Sequence, residues 1–268
     1  MMKFFNLVLY SRSPIYDKMK EALDKYYSTF DNVITLYYTC DPNIDDMYKL
    51  DKNILFIKEE DTFIPGILKK TVKAFDYVYN NYNLDDITYI IRSNISTIIN
   101  FNELKNELYR NPIHIYGGGH VMNLHWIDNN SGIIDNKWFN TQFASGTSII
   151  LQKEGMKFII DNKDKLNYTI IDDVSIAILF RQYMDLNANR INIFKFLFVP
   201  LFTYNDKIDK NILNNIINEK FIFYRNRCTN DENRQIDIMQ MNAIIDTLLN
   251  HKDCSCREVL YYTNRKEK

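Results

Sequence analysis

Two adjacent aspartates, Asp172 and Asp173, open a strongly apolar stretch in the segment IIDDVSIAILF. A carboxylate held beside a substrate can take the proton of a hydroxyl while that hydroxyl attacks an electrophilic carbon. Aspartates in the first turn of a helix also accept hydrogen bonds from its free N–H groups and favour the positive end of the helix dipole. Both interpretations stay open, since one aspartate can cap the helix while the other projects into a cleft.

A second polar cluster, Arg92, Ser93 and Asn94, ends the strand pattern of DDITYIIRSNISTI. Ligands of open α/β sheets gather beyond the carboxyl ends of strands, so we expect this cluster to lie at a site. The guanidinium of Arg92 can bind phosphate oxygens in a bidentate manner, and a structural ion pair is the alternative.

The elements that must position these groups alternate between strand and helix patterns. The first part of the chain predicts βαβ units and a mainly parallel sheet. Its elements are the apolar run FNLVLY, a polar helix over residues 18–27, and the runs VITLYY and ILFI. IPGILKKTVKAFDYVYNNY has apolar residues at three- and four-residue steps and predicts an amphipathic helix opened by Pro65.

The second half continues in the same manner. FNELKNELY predicts a short helix, NPIHIYGGGH a strand running into three glycines, and FASGTSIILQKEGMKFIIDN a strand, a turn and a helix. RINIFKFLFVP predicts another strand, and the final part predicts a strand, an arginine-bearing loop and a closing helix. No repeat, linker or composition shift marks a boundary. We therefore predict one domain over residues 1–268, in which residues 221–250 close the site and residues 251–268 form a tail.

Composition excludes several classes of partner. The chain has 268 residues, 46% hydrophobic and 25% charged, which is ordinary for a globular protein. Its 33 basic and 34 acidic residues offer no overall attraction to nucleic acid or anionic lipid. Four cysteines form no CxxC pairs, and no apolar run approaches the roughly 18 residues of a membrane span. We expect a cytoplasmic protein without a membrane span and without a nucleic-acid partner.

Several segments together carry a resemblance to a known family. FASGTSIIL, then a helix, then IIDDVSIAILF resembles the inverting GT-A glycosyltransferases of the β-1,3-galactosyltransferase and Fringe type. The chain is also similar to glycosyltransferases encoded by giant DNA viruses, in the segments IPGILKKT, YIIRSNISTIINF and YRNR. The resemblance extends over residues 55–245. It implies a GT-A type α/β fold, with a mainly parallel central sheet flanked by helices, and a location in the host cytoplasm if the protein is viral.

The same resemblance implies a function. The protein would move a sugar from a nucleotide-diphosphate donor, most commonly a UDP-sugar, to a hydroxyl of a glycan or protein acceptor, with inversion. Asp172 or Asp173 would match the general base of the family, and which of them does so stays open. The alternative hypothesis is a non-catalytic relative that kept the fold and binds a carbohydrate or a nucleotide. A different nucleotide-binding enzyme is disfavoured because GxGxxG and GxxxxGK[ST] are absent.

The chain departs from the family at the metal site, because RSN stands where a DxD-like motif usually ends the central strand. We therefore expect no required metal cofactor and no metal ligands, although Mn²⁺ or Mg²⁺ binding stays open. Fixed cations and N–H donors can neutralise a leaving diphosphate instead. The residues assigned to the donor and its diphosphate are Ser11, Arg12, Lys70, Arg92, Ser93, Asn94, Arg225, Arg227 and Arg234.

Each of these assignments has a plainer alternative. Ser11 and Arg12 also suit a helix N-cap, Lys70 a solvated helix face, and the three C-terminal arginines a solvated surface. The acceptor or sugar pocket is assigned to residues in the two glycine-containing turns, where a tight structural turn is the alternative. These residues are Gly118, His120, Ser145 and Gly146.

Overall fold

The structure is a computed structural model that describes residues 2–191, 196–199, 203–204, 207–208, 218–227 and 234–263. The helices are α1 Pro14–Tyr27, α2 Gly66–Asn81, α3 Phe101–Arg110, α4 Lys153–Asp161, α5 Asp172–Met184 and α6 Arg234–Thr263. The strands of the first half are β1 Phe4–Leu9, β2 Val33–Cys40, β3 Tyr48–Asp51, β4 Ile54–Ile57, β5 Tyr89–Asn94, β6 Thr97–Ile99, β7 Tyr116–Gly118 and β8 Val121–Asn123. They are followed by β9 Gln142–Ala144, β10 Ile149–Leu151, β11 Asn189–Arg190, β12 Phe196–Val199, β13 Thr203–Tyr204, β14 Lys207–Ile208 and β15 Phe223–Asn226.

The central sheet has eight strands in the order β11-β7-β10-β5-β1-β2-β4-β3. β1 pairs in parallel with both β2 and β5, and β4 extends this parallel arrangement beyond β2. β10 runs antiparallel to β5 and β7, and β3 runs antiparallel to β4. The predicted α/β architecture with a mainly parallel sheet is confirmed.

Helices cover both faces of this sheet. In β1, Phe5 and Leu7 point to a core shared with α2, α4 and α5. Phe4 and Val8 point to a second core, shared with α1, α3 and α6, because successive side chains of a strand alternate between faces. Burial on both sides explains why the first strands are almost continuously apolar.

The strand predicted in DDITYIIRSNISTI ends at the polar cluster Arg92, Ser93 and Asn94, as expected, and a separate short strand follows it. β5 ends at Asn94 in the central sheet, whereas β6 joins a three-stranded sheet of order β12-β15-β6. Tyr27 stabilises the departing segment, since its hydroxyl donates to the Thr97 carbonyl at 3.2 Å and accepts from the Ile99 N–H at 3.1 Å. The separate strand brings β15, from the C-terminal part of the chain, beside the end of β5.

Two features near the C-terminus differ from the prediction. Arg225 lies in β15 and Arg234 in the first turn of α6, so these arginines do not belong to one loop. The reason is that FYRN pairs with β6 and β12, which satisfies its backbone groups as a strand. Helix α6 also continues to Thr263, beyond the expected end at residue 250.

Within the part of the chain that the structure describes, every helix is too short or too polar to cross a bilayer.

Candidate active site

Asp172 and Asp173 occupy the first turn of α5, whose N-cap residue, Ile171, supplies no capping side chain. The Asp173 carboxylate accepts the Val174 N–H at 2.8 Å through Oδ1 and the Gly146 N–H at 2.9 Å through Oδ2. Asp173 therefore satisfies a free helix donor and at the same time holds the turn between β9 and β10. Both carboxylates are largely buried, with 4% of Asp172 and 8% of Asp173 exposed.

The side chain of Arg92, near the end of β5, lies against this acidic pair. Its Nη2 is 2.6 Å from Asp172 Oδ2, its Nε donates to Tyr38 Oη at 3.1 Å, and its Nη1 donates to the Gly146 carbonyl. Burial works against the charge of Arg92, but the Asp172 carboxylate and Tyr38 raise its pKa above the usual value. Arg92 is a buried partner of Asp172, which is the structural alternative stated for it above.

The two carboxyl groups of the pair differ electrostatically. Burial and then the neighbouring Asp172 carboxylate raise the pKa of Asp173 to about 7, against the opposing hydrogen bonds from Gly146 and Val174 and the charge of Arg92. Asp172 instead has its charge balanced directly by Arg92. A carboxyl group that titrates near neutral pH is suited to exchange a proton with a substrate.

The turn at Gly146 is shaped by the close approach of Arg92. A Cβ atom at this position would lie 2.3 Å from Arg92 Nη1, well inside van der Waals contact. Gly118 is similarly confined, because a Cβ there would lie 2.6 Å from Ala144 Cβ. Glycine is required at both positions by the packing around the site.

The residues assigned to an acceptor pocket are brought together beside this turn. The Ser145 N–H donates to the His120 carbonyl at 2.8 Å, and the His120 N–H donates to Ser148 Oγ at 3.0 Å. The His120 ring stacks on Phe196 with centroids 5.0 Å apart, and burial followed by the charge of Arg190 lowers its pKa. His120 is therefore neutral at physiological pH. Its acceptor role stays a prediction.

The loop after β1 holds the next two assigned residues at the same edge of the sheet. Ser13, not Ser11, caps α1, since Ser13 Oγ accepts the Tyr16 N–H at 3.2 Å. Arg12 is exposed, lies over the Phe56 ring at 5.5 Å and approaches Asp41 Oδ2 at 3.8 Å. Ser13 is therefore the N-cap residue of α1. Arg12 is an accessible cation.

Lys70 does not lie on a solvated helix face, because 1% of the residue is exposed and its Nζ forms an ion pair with Asp61. The next residue, Thr71, has its Oγ1 2.9 Å from Tyr38 Oη, the same hydroxyl that receives the Arg92 Nε. The start of α2 is thereby connected to the acidic pair. The charge of Lys70 is already balanced within the protein, so contact with a donor stays a prediction.

Arg225, another residue assigned to the donor, lies against the end of β5. Arg225 Nη1 donates to Asn94 Oδ1 and Ser96 Oγ, which places this guanidinium at the end of β5. Burial and then the charges of Arg234 and Arg227 lower the pKa of Arg225, although a guanidinium stays protonated at neutral pH. A cation that is held among other cations and bonded to neutral side chains is suited to receive an anion.

The structure separates three other assigned residues from one another. Arg234 is buried and pairs with Asp237 Oδ2 at 2.8 Å, whereas Arg227 is exposed. Ser93 is fully buried, and its Oγ donates to Asn6 Oδ1 at 3.2 Å. Their donor roles stay predictions. Of the candidate cations, Arg12 and Arg227 are exposed and Arg225 is partly buried.

Sequence reasoning missed Asp41 and Tyr38, and it noted Thr71 beside Lys70 without assigning it a role. Asp41 follows β2 directly, so the rule that directed attention to the end of β5 would also have found it. Tyr38 and Thr71 carry no comparable pattern, because their importance comes from contacts with Arg92 and with each other.

In the residues that the structure describes, no group of three or more His, Cys, Asp or Glu side chains is arranged to hold a metal ion.

No protein-family model and no curated protein sequence matches the chain. Among solved structures it is similar to a glycosyltransferase involved in the glycosylation of the major capsid of PBCV-1, with a TM-score of 0.47, 10% identity, and coverage of 89% of this chain and 98% of that one. It is also similar to an active-site mutant of LgtC, with a TM-score of 0.42, 11% identity, and coverage of 88% and 94%.

Proposed function

We propose that the protein is a glycosyltransferase that moves a sugar from a nucleotide-diphosphate donor to an acceptor hydroxyl. The observation that carries this proposal is the Asp172–Asp173 pair beside Arg92, near the carboxyl end of β5, with one of the carboxyl groups titrating near neutral pH. This is the edge of a parallel sheet at which ligands bind. Accessible cations lie at the same edge, as a diphosphate requires.

Asp173 is the better candidate for the general base. It is the more exposed carboxylate, its pKa is close to the working pH, and each of its oxygens keeps a lone pair beyond the single N–H that it accepts. Asp172 and Arg92 balance each other's charge, so the electrostatic environment of Asp173 is fixed.

The proposed step is a single displacement. The acceptor hydroxyl gives its proton to Asp173 as its oxygen bonds to the anomeric carbon. The bond between that carbon and the phosphate oxygen breaks on the opposite side, and the nucleoside diphosphate leaves with the electron pair. Displacement in line inverts the anomeric configuration.

The diphosphate would be held by arginine and backbone N–H groups without a required metal. Arg225 of β15 and Arg12 after β1 are suited to this, because Arg225 contacts Asn94 at the end of β5 and Arg12 follows the neighbouring strand β1. A guanidinium binds two phosphate oxygens at once and stabilises the charge that develops on the leaving group. Uridine diphosphate sugars are the donors to test first.

A thermal-shift panel of nucleoside diphosphates and nucleotide-sugars, each with Mn²⁺ and with EDTA, tests the proposal. A ligand of the native state present at 100 times its Kd stabilises the fold by about 2.7 kcal/mol. We expect at least one nucleotide to raise the Tm equally in Mn²⁺ and in EDTA. A shift that requires Mn²⁺ would overturn the metal-independent site, and the absence of any shift would overturn donor binding.

One observation favours a second candidate, a nucleotide- or carbohydrate-binding protein without catalysis. Asp172 is almost fully buried in its pair with Arg92, and at most 8% of either carboxylate is exposed. Such a protein would show the thermal shift but release no nucleoside diphosphate from any nucleotide-sugar in the presence of acceptors.

A further inference from the structure

A separate cleft of about 490 Å³ lies between the β3–β4 hairpin, helix α2 and the connection from α4 to α5. Its volume falls within the range of about 300–1,000 Å³ that is usual for small-molecule sites. Apolar and aromatic surface dominates its walls, and charged groups are placed at intervals around it. The aromatic and charged residues that line it include Tyr48, Lys69, Lys73, Asp76, Lys163 and Tyr168.

Two of its three lysines have no counter-ion among the residues that the structure describes. Lys73 Nζ pairs with Glu59 Oε1 at 2.7 Å, so its charge is balanced. Lys69 on α2 and Lys163 after α4 are exposed and form no ion pair within the described ranges. Asp76 also lines the cleft, where its Oδ2 accepts from the Tyr48 hydroxyl. Three lysines therefore face two carboxylates and the lining keeps a net positive charge, with Lys69 and Lys163 unpaired among the described residues.

The tyrosines supply the apolar part of the cleft. Tyr168 is held in place because its hydroxyl donates to the Lys163 carbonyl at 2.9 Å. Tyr48 packs against Tyr77 with ring centroids 5.1 Å apart, and its hydroxyl reaches Asp76 Oδ2 at 3.4 Å. Rings fixed in this way present faces to a ligand at low entropic cost.

The cleft is distinct from the candidate active site, although one helix serves both. Lys70 and Thr71 of α2 turn inward to Asp61 and Tyr38, as described above. Lys69 and Lys73, one turn apart on the same helix, line the cleft instead. A ligand in the cleft would therefore contact the outer side of the helix whose inner side supports the acidic pair.

We propose that this cleft binds an acidic saccharide, whose ring packs on Tyr48 and Tyr168 and whose anionic group lies between Lys69 and Lys163. The proposal rests on the proposed function, because a sugar is the expected ligand of a protein that extends glycans. The cleft would then hold an acidic unit of the acceptor, away from the point of transfer. A carboxylated and a phosphorylated sugar share this chemistry.

Titration calorimetry with three probes tests the assignment, namely digalacturonate, its methyl ester and glucose 6-phosphate. We expect one or both anionic probes to bind and the neutral ester not to bind. A tighter Kd for digalacturonate supports a uronic acid unit, and a tighter Kd for glucose 6-phosphate supports a phosphorylated one. Equal binding of the ester, or no binding of either anion, would overturn the proposal.

Charge reversal locates the binding. Replacing both free lysines, Lys69→Glu with Lys163→Glu, should weaken the anionic probe by about tenfold or more, since two exposed ionic contacts are lost. Lys18→Glu is the matched control, because Lys18 is an exposed lysine on α1 outside the cleft. An unchanged Kd in the double variant, or an equal loss in the control, would contradict the assignment.

The same double variant separates this proposal from the proposed function. Its thermal shift with nucleotides should equal that of the wild type, because the lysines lie outside the candidate active site. If nucleotides stabilise the protein and the acidic probes fail to bind, the cleft assignment alone is wrong. If the probes bind through the two lysines and no nucleotide stabilises the protein, the glycosyltransferase proposal is wrong and the cleft assignment stands.

Discussion

Arg92 Nη2 and Asp172 Oδ2 lie 2.6 Å apart in the interior, with 2% and 4% of their side chains exposed. The arginine comes from the central strand β5 and the aspartate from the first turn of α5, so the pair joins the sheet to the helix. Two buried charges destabilise the folded protein unless they pair with each other. The pair fixes the position of the acidic turn.

Arg92→Met should reduce the free energy of unfolding by about 3–5 kcal/mol, because it leaves Asp172 buried without a counter-ion. The double variant Arg92→Met with Asp172→Leu should lose less than the sum of the two single variants. Urea denaturation of the wild type, the two single variants and the double variant provides the double-mutant cycle. Additive losses would show that the two charges do not depend on each other.

Gly146→Ala should lower the free energy of unfolding by about 1–3 kcal/mol, since the added methyl group would enter the space of the Arg92 guanidinium. Ser145→Ala, in the same turn, adds no atoms and removes only the hydrogen bonds from Thr147, so it serves as the comparison for a change without a clash. The Tm of both variants is the measurement. A Gly146→Ala protein as stable as the control would mean that Arg92 is free to move aside.

The raised pKa of Asp173 predicts a pH dependence of stability. The folded state keeps a proton on this carboxyl between pH values of about 4 and about 7, where an unfolded aspartate, with a pKa of about 3.9, has lost it. The contribution of Asp173 therefore falls as pH rises through this window, by at most about 4 kcal/mol. Denaturant melts at several pH values should show a steeper decline for the wild type than for Asp173→Asn. Parallel profiles would contradict the raised pKa.

Arg225→Met should weaken binding of the donor diphosphate, because it removes the cation at the end of β5 while leaving Asn94 and Ser96 able to bond water. Arg110→Met is the matched control, since Arg110 is an exposed arginine at the end of α3. We expect the Kd of the stabilising nucleotide to increase by about tenfold or more, as lost charge-assisted hydrogen bonds imply, with no change in the control. Equal affinity in both variants would remove Arg225 from the donor site.

Much of the fold could be predicted from the sequence. β1, β2 and β4 follow from short apolar runs, α2 from apolar residues at three- and four-residue steps, and α5 from an apolar stretch that two aspartates open. The end of β5 follows from the polar cluster Arg92, Ser93 and Asn94, but the sequence does not show that β6 joins a second sheet. The placement of Arg225 in a strand depends on pairing with β6, a partner remote in sequence.

The carboxylates of the candidate site could be predicted from the sequence, whereas the roles of its cations could be predicted less well. Asp172 and Asp173 stand out because acidic residues open an otherwise apolar helix. The partnership of Arg92 with Asp172, and of Lys70 with Asp61, arises from contacts between distant segments. A sequence shows that a lysine or an arginine is present, but burial decides whether it balances an internal charge or meets a ligand.

The most direct test of the central claim is release of nucleoside diphosphate from the nucleotide-sugar that stabilises the protein, measured with and without a panel of acceptors. The wild type should release product in the presence of an acceptor, at a rate that rises with pH through about 7 as Asp173 loses its proton. Asp173→Asn should bind the same nucleotide and lose turnover by about two orders of magnitude or more, the usual contribution of a general base. Undiminished turnover in Asp173→Asn, or no release by the wild type with any donor and acceptor, would contradict the account.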